Sequence, residues 1–321
     1  MDNRAGPSLV NPKALMAIRN LEFRARIVVE GFWNGLHRSP YHGFSVEFTE
    51  FRQYSPGDDL RYLDWRVFAR SDRYYIKKFE DETNLRCYLL VDHSKSMGYS
   101  SLPYTKSEYA NTLAATIAYF LFKQGDAVGL LTFDERLQEF LPAKHRTGHL
   151  RQMMIALEAP LAGTATDLKL PLTQVMQMVR KRGVVVLISD LLAPLATVEG
   201  ALRELAAFGH EALVFHVLDP AEWMFEFDQA SIFEDVESGK KLYVDPRAVR
   251  KGYLGKIRAH CDAARELCQR RGIGYVRLTT DQPLELALFD FLRQRMERGK
   301  RRRALTRDGR AHSQPTAIAA S

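Results

Sequence analysis

Residues Tyr88–Ser96 carry the sequence YLLVDHSKS, in which an apolar run ends directly at Asp92. A second segment, Val184–Asp190, is organised in the same way: VVVLIS is followed at once by Asp190. Continuous apolar runs of this kind are typical of parallel strands that helices bury on both faces. Both segments therefore predict central strands of an open parallel sheet, with an aspartate at the end of each strand.

The rest of the chain between residues 84 and 298 alternates between apolar strands and amphipathic helices. The predicted strands are Arg86–Val91, Ala127–Phe133, Val184–Ser189, Ala212–Leu218 and Tyr275–Leu278, and the predicted helices are Thr105–Lys123, Leu150–Leu157, Leu168–Val179, Val198–Ala207, Arg247–Gln269 and Leu284–Glu297. An insertion near residues 220–245 predicts a β-hairpin around Ser238-Gly239. The pattern indicates an α/β domain, with a doubly wound, mostly parallel sheet and helices on both faces.

The regions on either side of this domain have different patterns. Residues 1–83 combine a helix with a segment, Ser39–Asp81, that is rich in Arg, Asp and aromatic residues and predicts strands and turns. The helix begins at Asn11-Pro12, and its apolar stripe consists of Ala14, Ile18, Leu21, Ala25, Val28 and Phe32. Residues 299–321 predict a basic, disordered tail.

The net charge of +7 would be expected for a nucleic-acid-binding protein if it were spread over the whole chain. From Arg298 onward, however, seven basic residues stand against one acidic residue, which leaves the preceding part near +1. We therefore expect no specific nucleic-acid binding. The three cysteines form no CxxC pair, which favours reduced core thiols. With no leader pattern and no run of roughly 18 apolar residues, we expect a cytoplasmic protein without a transmembrane segment.

Polar residues beyond the strand ends mark the candidate site, because open parallel sheets bind ligands beyond the carboxyl ends of their strands. Asp92, Ser94 and Ser96 follow one strand and Asp190 follows another, while a loop between them contributes Thr166 or Thr164. This all-oxygen set suits Mg²⁺, with Mn²⁺ or Ca²⁺ as alternatives, and does not suit zinc. Two carboxylates leave the ion able to bind one more carboxylate from a partner protein.

These residues resemble a known site. The pattern Asp92-x-Ser94-x-Ser96, with Thr166 and Asp190, resembles the metal-ion-dependent adhesion site of von Willebrand factor A domains. The resemblance implies a non-enzymatic module that binds an exposed acidic residue of a partner protein through a divalent cation.

The segment before the first central strand carries a second resemblance, which extends over roughly Ser39–Leu292. The residues that carry it are Gly43, Glu47-Phe48, Phe51-Arg52, Tyr54, Pro56-Gly57-Asp58-Asp59, Arg61, Asp64-Trp65 and Ala69-Arg70. They are similar to the signature of domain-of-unknown-function family 58. The resemblance implies an adaptor or chaperone-like partner of a MoxR-type AAA+ ATPase. Thr166-Asp167-Leu168 matches the Thr-Asp-Leu pattern of the family, and Thr164 remains the alternative ligand.

An enzyme is the main alternative. Metal-dependent phosphoryl-transfer enzymes of the haloacid-dehalogenase type also place an aspartate after the first buried strand. They need a second carboxylate two residues later as general acid, and this chain has Ser94 there. The serine at this position favours an interaction module over a phosphoryl-transfer enzyme. Nonspecific nucleic-acid binding through the basic tail is a third, weaker hypothesis.

Overall fold

The computed structural model describes residues 9–38, 50–53, 75–78, 85–161, 169–179, 182–207, 209–227, 229–234 and 239–295. The chain divides into two units, of which one contains residues 1–33 and 85–321 and the other residues 34–84. The N-terminal helix, predicted to belong with the segment up to residue 83, belongs to the α/β unit as far as residue 33.

Ten strands and nine helices are found among the described residues. The strands are β1 (Glu50–Gln53), β2 (Tyr75–Lys78), β3 (Arg86–Asp92), β4 (Ala127–Phe133), β5 (Leu137–Lys144), β6 (Val184–Ser189), β7 (Glu211–Leu218), β8 (Ser231–Glu234), β9 (Lys241–Val244) and β10 (Gly274–Thr279). The helices are α1 (Pro12–Met16), α2 (Leu21–Arg38), α3 (Lys106–Lys123), α4 (Thr147–Leu157), α5 (Lys169–Met178), α6 (Leu195–Ala207), α7 (Pro220–Met224), α8 (Pro246–Arg270) and α9 (residues 284–295). A short 3-10 helix, Lys95–Gly98, follows β3.

The central sheet has six strands in the order β10-β7-β6-β3-β4-β5. All neighbouring pairs are parallel except β4 and β5, which are antiparallel. The chain starts in the middle of the sheet at β3, adds strands on one side and then on the other, so the sheet is doubly wound. The central strands β3 and β6 are buried along almost their whole length, as their continuous apolar runs predict. The predicted α/β fold class is confirmed.

The register of the two central strands positions the candidate site. Leu90 lies beside Leu187 and Val91 beside Ile188 in the parallel pair β3–β6. Both strands therefore end at the same edge of the sheet. Asp92 at the end of β3 and Asp190 just beyond β6 are therefore brought to adjoining positions. The hydrogen bond from Ser189 to Asp92 at this edge spans 97 positions of the sequence.

The N-terminal helix differs from its prediction because it is broken in two. The side chain of Asn20 accepts a hydrogen bond from the backbone N–H of Phe23 at 2.7 Å and so begins α2 as an N-terminal cap. Before the break the predicted apolar stripe is wrong, because Ala14 is exposed and Leu15 is buried in its place.

The predicted stripe is correct along α2. Its four members in that helix are buried: Leu21, Ala25, Val28 and Phe32. The ring of Phe32 meets the ring of Phe120 edge-on, with 6.1 Å between centroids. This contact with α3 is the physical reason that the beginning of α2 belongs to the α/β unit and not to the segment after it.

Two elements of the α/β unit were not predicted. Strand β5 lies at the edge of the sheet, is only partly buried and contains Pro142, so it lacks a continuous apolar run. Helix α7 has only five residues, too few to show a helical period. The hairpin predicted in this insertion is confirmed, because β8 and β9 pair antiparallel.

The second unit is described only in part. Its strands β1 and β2 pair antiparallel, with Glu50 beside Lys78 and Gln53 beside Tyr75, in agreement with the strands predicted for this segment. Of the family-signature residues, Phe51 and Arg52 lie on β1, and the others lie outside the described residues. The basic tail, residues 299–321, also lies outside them.

None of the described helices combines the length and the apolar character that crossing a bilayer requires. Cys87, Cys261 and Cys268 are buried and form no disulfide, as expected for reduced core thiols.

Candidate metal centre

Asp92 is held at the end of β3 by two hydrogen bonds. The Ser189 hydroxyl donates to Oδ2 at 2.6 Å, and the backbone N–H of Ser94 donates to Oδ1 at 2.9 Å. The Asp92 side chain is completely buried. Its carboxylate is therefore fixed in orientation by the neighbouring strand β6 and by its own loop.

Ser94 and Ser96 lie in the turn that follows Asp92. Their hydroxyl oxygens are 3.1 Å apart, within hydrogen-bond distance. Ser94 is buried, whereas Ser96 is partly exposed, so Ser96 is the one of the two that solvent can reach. The Ser96 side chain also lies near the carboxylate of Asp190, since it helps to lower the pKa of that group.

Asp190 lies one residue beyond the end of β6 and is completely buried. Its Oδ1 accepts a hydrogen bond from the backbone N–H of Leu192 at 3.1 Å. Its Oδ2 accepts one from Nζ of Lys106 at 2.8 Å. Both oxygens of this carboxylate thus have a donor within the protein.

The structure brings together four of the five residues proposed as ligands. Hydrogen bonds join Asp92 to Ser94 and Ser94 to Ser96, and Asp190 lies close enough for its charge to raise the pKa of Asp92. Thr166 and its alternative Thr164 lie outside the described residues, so the predicted threonine ligand stays a prediction.

Lys106 and Glu222 were not identified from the sequence, yet they form the centre of the charge network. Lys106 Nζ donates to Asp190 and, at 2.7 Å, to Oε1 of Glu222. The Lys106 side chain is completely buried, and that of Glu222 is 14% exposed. Glu222 Oε2 accepts a further hydrogen bond from the backbone N–H of Asp219 as part of the cap of α7. Lys106 therefore connects the candidate site to α7 through its hydrogen bonds to Asp190 and Glu222.

One signal in the sequence could have revealed Lys106. It is the first residue of α3, a helix in which every residue from Lys106 to Leu121 except Glu108 is buried. A cation at a helix N-terminus is unfavourable because the helix dipole is positive there. The Lys106 side chain is buried, so it indicates a carboxylate partner from elsewhere in the chain. Which carboxylate it pairs with depends on the fold.

Burial and charge shift the pKa values of these groups in different directions. Burial, and then the negative charge of Asp190, raise the pKa of Asp92 to about 7. Burial also acts to raise the pKa of Asp190, but the charge of Lys106 and the hydrogen bond from it lower that pKa below its usual value. The pKa of Lys106 is raised, because the attraction of Asp190 and Glu222 outweighs its desolvation. Of these carboxylates, Asp92 is thus the one that forms no ion pair within the described part of the chain.

The charges of this cluster fit a divalent cation. With Asp92, Asp190 and Glu222 ionised and Lys106 protonated, the cluster carries a formal charge of −2 in a buried environment. A buried, unpaired charge is strongly unfavourable. A proton on Asp92 relieves only part of it, whereas a dication bound by the carboxylates and hydroxyls would balance it completely.

The composition of the site restricts the choice of metal. Among the described residues there is no group of three or more His, Cys, Asp or Glu side chains that could hold a metal. The candidate site instead combines two carboxylates with hydroxyl oxygens. Hard cations such as Mg²⁺ accept such oxygen ligands and retain water at the remaining positions, whereas zinc prefers nitrogen and sulfur ligands.

Comparison with known proteins gives a family match. Residues 50–263 match the family described as "Protein of unknown function DUF58". An uncharacterized protein of Mycobacterium tuberculosis is 31% identical over 271 residues, covering 82% of this chain and 83% of that protein. The uncharacterized protein YeaD of Bacillus subtilis is 27% identical over 117 residues, covering 36% of this chain and 27% of YeaD.

Several solved structures are similar to this chain at low identity. BatB, a conserved hypothetical protein from Bacteroides thetaiotaomicron, is 14% identical with a TM-score of 0.45, covering 66% of this chain and 99% of BatB. An aerotolerance-related membrane protein from Bacteroides fragilis is 14% identical with a TM-score of 0.44, covering 63% of this chain and 96% of that chain. The SpRpn10 VWA domain is 12% identical with a TM-score of 0.36, covering 63% of this chain and 92% of that domain.

Proposed function

This chain belongs to the DUF58 family, and from its site we propose that it is a protein-interaction module that binds an acidic side chain of a partner through a divalent cation. The cation would be held by Asp92, Ser94, Ser96, Asp190 and Thr166. Mg²⁺ is the proposed ion, and Mn²⁺ or Ca²⁺ could replace it.

The observation that carries the proposal is the excess of buried negative charge beside two hydroxyls. Lys106 balances Glu222 or Asp190 but not both, and Asp92 has no cationic partner among the residues that the structure describes. Because Ser96 is partly exposed, a cation at this position would be accessible from solvent. A bound dication supplies an electrophilic centre to which a carboxylate from another protein can bind, and the chain's own residues hold it in place.

The binding of a metal can be tested on the purified full chain without a partner. We expect titration with Mn²⁺ to reduce the electron paramagnetic resonance signal of the free ion with a stoichiometry of one site. Mg²⁺ should compete for the same site. A Ser94→Ala, Ser96→Ala double variant should lose this binding, because two of the oxygen ligands are removed without a change in charge.

The control for this experiment is Ser107→Ala, which removes a buried serine of α3 that is not a proposed ligand. Wild-type Mn²⁺ affinity in the ligand double variant would refute the proposed site. Asp190→Ala is a less suitable variant, because it also removes a hydrogen-bonded partner of buried Lys106 and so changes stability as well as binding.

An interaction role is proposed in preference to catalysis. The residue two positions after Asp92 is Ser94, whose hydroxyl lies 3.1 Å from that of Ser96. No carboxylate therefore occupies the position of the general acid that phosphoryl transfer of the haloacid-dehalogenase type needs. We expect no phosphatase turnover with a generic phosphate monoester, and turnover that Asp92→Asn abolishes would favour the enzyme instead.

The identity of the partner is the part of the proposal that rests on the family resemblance. A MoxR-type AAA+ ATPase stays the predicted partner, with an adaptor or chaperone-like role for this chain in the cytoplasm. Coexpression of the two proteins followed by affinity purification with Mg²⁺ or with chelator tests this prediction. We expect recovery of the ATPase with Mg²⁺ alone.

A further inference from the structure

A cleft of about 630 Å³ lies between the β8–β9 hairpin and the first turns of α8. The hairpin contributes Phe233, Leu242 and Val244 to its wall, and α8 contributes Val249, Gly252 and Tyr253. Its volume falls within the range of about 300–1,000 Å³ that is typical of ligand-binding clefts. The cleft is therefore large enough for more than one bulky side chain.

The floor of the cleft is aromatic. Phe225 is buried and packs against the ring of Phe233 in a stacked arrangement at 5.9 Å and against Tyr253 at 4.4 Å. Leu242 lines the same cleft but is 66% exposed. Apolar surface that is both concave and open to solvent is typical of a binding site for apolar side chains.

The cleft adjoins the candidate metal centre at two points. Glu222 lines the cleft and receives a hydrogen bond from Lys106, which also binds Asp190. Tyr99 lines the cleft as well, and it directly follows the 3-10 helix that contains Ser96. A ligand group at the metal centre and another in the cleft would thus lie on neighbouring parts of one surface.

The charges at this surface indicate what kind of segment fits it. Glu222 shares the positive charge of Lys106 with Asp190, whereas Lys256 lines the cleft and is exposed. Lys95, between the two serines of the candidate site, is exposed too. Exposed lysines on both sides favour an acidic partner segment over a basic one.

We propose that the cleft binds an aromatic or large aliphatic side chain of the same partner segment whose carboxylate binds at the metal centre. The inference rests on the proposed function. It specifies the partner segment, which contains an acidic residue with a bulky apolar residue close to it in the sequence. The cation makes binding metal-dependent, and the cleft selects among acidic segments.

The test uses short synthetic peptides and the full chain in Mg²⁺. Each peptide has one Glu in a Gly/Ser background and a Phe at successive distances from it, and matched peptides carry Ser for Phe or Gln for Glu. Burial of a Phe side chain should lower the apparent Kd of the best-spaced peptide by at least about tenfold relative to its Ser version. Replacement of Glu by Gln should abolish the Mg²⁺ dependence.

Two glycines of α8 provide a matched pair of variants. A Cβ at Gly252 or at Gly255 would meet no heavy atom within 4 Å, so both positions accept a side chain without a clash. Only Gly252 lines the cleft. Gly252→Leu should fill the cleft and remove the advantage of Phe over Ser, whereas Gly255→Leu should retain it. Leu242→Ser, at an exposed position, should reduce the advantage without a risk to folding.

The outcomes separate this inference from the function on which it rests. Mg²⁺-dependent binding of Glu peptides with equal affinity for the Phe and Ser versions would overturn the cleft proposal and leave the metal centre standing. An equal loss in Gly252→Leu and Gly255→Leu would overturn it too. If no Glu peptide binds, or binding ignores Mg²⁺, the proposed function fails and the inference fails with it.

Discussion

The candidate metal centre and the apolar cleft are adjoining regions that the chain builds by opposite means. The metal centre is buried, polar and charged, and its side chains are held by hydrogen bonds such as that from Ser189 to Asp92. The cleft is open and apolar, and its floor is held by ring contacts around Phe225. Glu222 belongs to both regions, since it lines the cleft and pairs with Lys106.

This difference separates two contributions to recognition. Buried charges are sensitive to the loss of one partner, because the remaining charge stays in a medium of low polarity. Most substitutions of exposed apolar residues change the stability of the free protein little. These residues contribute free energy only when a partner covers them. Substitutions in the metal centre should therefore change stability, whereas substitutions at the rim of the cleft should change binding alone.

The largest effect is expected from Lys106→Met. The variant leaves Asp190 and Glu222 buried without their cation, which should lower the free energy of unfolding by about 3–5 kcal/mol in the absence of divalent ions. Urea denaturation followed by circular dichroism measures it. The matched control is Lys123→Met at the exposed end of the same helix, which should cost less than about 1 kcal/mol. Equal losses of unfolding free energy in the two variants would show that the buried ion pairs of Lys106 do not stabilise the fold more than an exposed lysine does.

A somewhat smaller effect is expected from Phe225→Ala on the floor of the cleft. The ring is buried on its protein side and faces the cleft on the other, so its removal should cost about 3 kcal/mol, at the low end for a buried Phe. Phe225→Leu retains most of the apolar contact and should cost less than about 1.5 kcal/mol. Thermal unfolding of both variants provides the measurement, and a neutral Phe225→Ala would contradict a stabilising role for the packing of this ring against Phe233 and Tyr253.

Ser189→Ala should have a moderate effect on the metal-free protein. It removes the hydroxyl that donates to Asp92 Oδ2 at 2.6 Å, a hydrogen bond to a buried carboxyl group, and should cost about 1–3 kcal/mol. Ser107→Ala is the control, because that buried hydroxyl accepts only a long hydrogen bond of 3.4 Å from the neutral amide of Asn111. A larger loss for Ser107→Ala, measured in the same denaturation assay, would argue against the importance of the Asp92 contact.

The smallest effect is expected on the outer face of the hairpin. Tyr243 is 72% exposed and its neighbour Val244 is 8% exposed, because successive residues of a strand point to opposite faces. Tyr243→Ser should change the free energy of unfolding by less than about 0.5 kcal/mol, whereas Val244→Ser should cost about 1–2 kcal/mol. Differential scanning fluorimetry distinguishes the pair. Similar costs for both would mean that the hairpin is packed on its two faces.

Local pattern was enough to predict the central strands, most helices of the α/β unit and the two aspartates. Strands β3 and β6 are continuous apolar runs that end at charged residues, and this feature depends on neighbouring residues alone. The hairpin was predictable for the same reason, from two short runs around a turn. Four of the proposed ligands could be named because parallel strands place their ends at one edge of the sheet.

The features that escaped prediction depend on residues far apart in the chain. Lys106 pairs with Asp190 across 84 positions and with Glu222 across 116, and no local pattern contains that information. Edge strand β5 forms because β4 offers it hydrogen bonds, and the cleft exists because the hairpin lies beside α8. The periodic burial of side chains along a helix or strand can be predicted from a short segment of the sequence. The pairing of buried charges and the shape of a surface arise only when distant segments pack together.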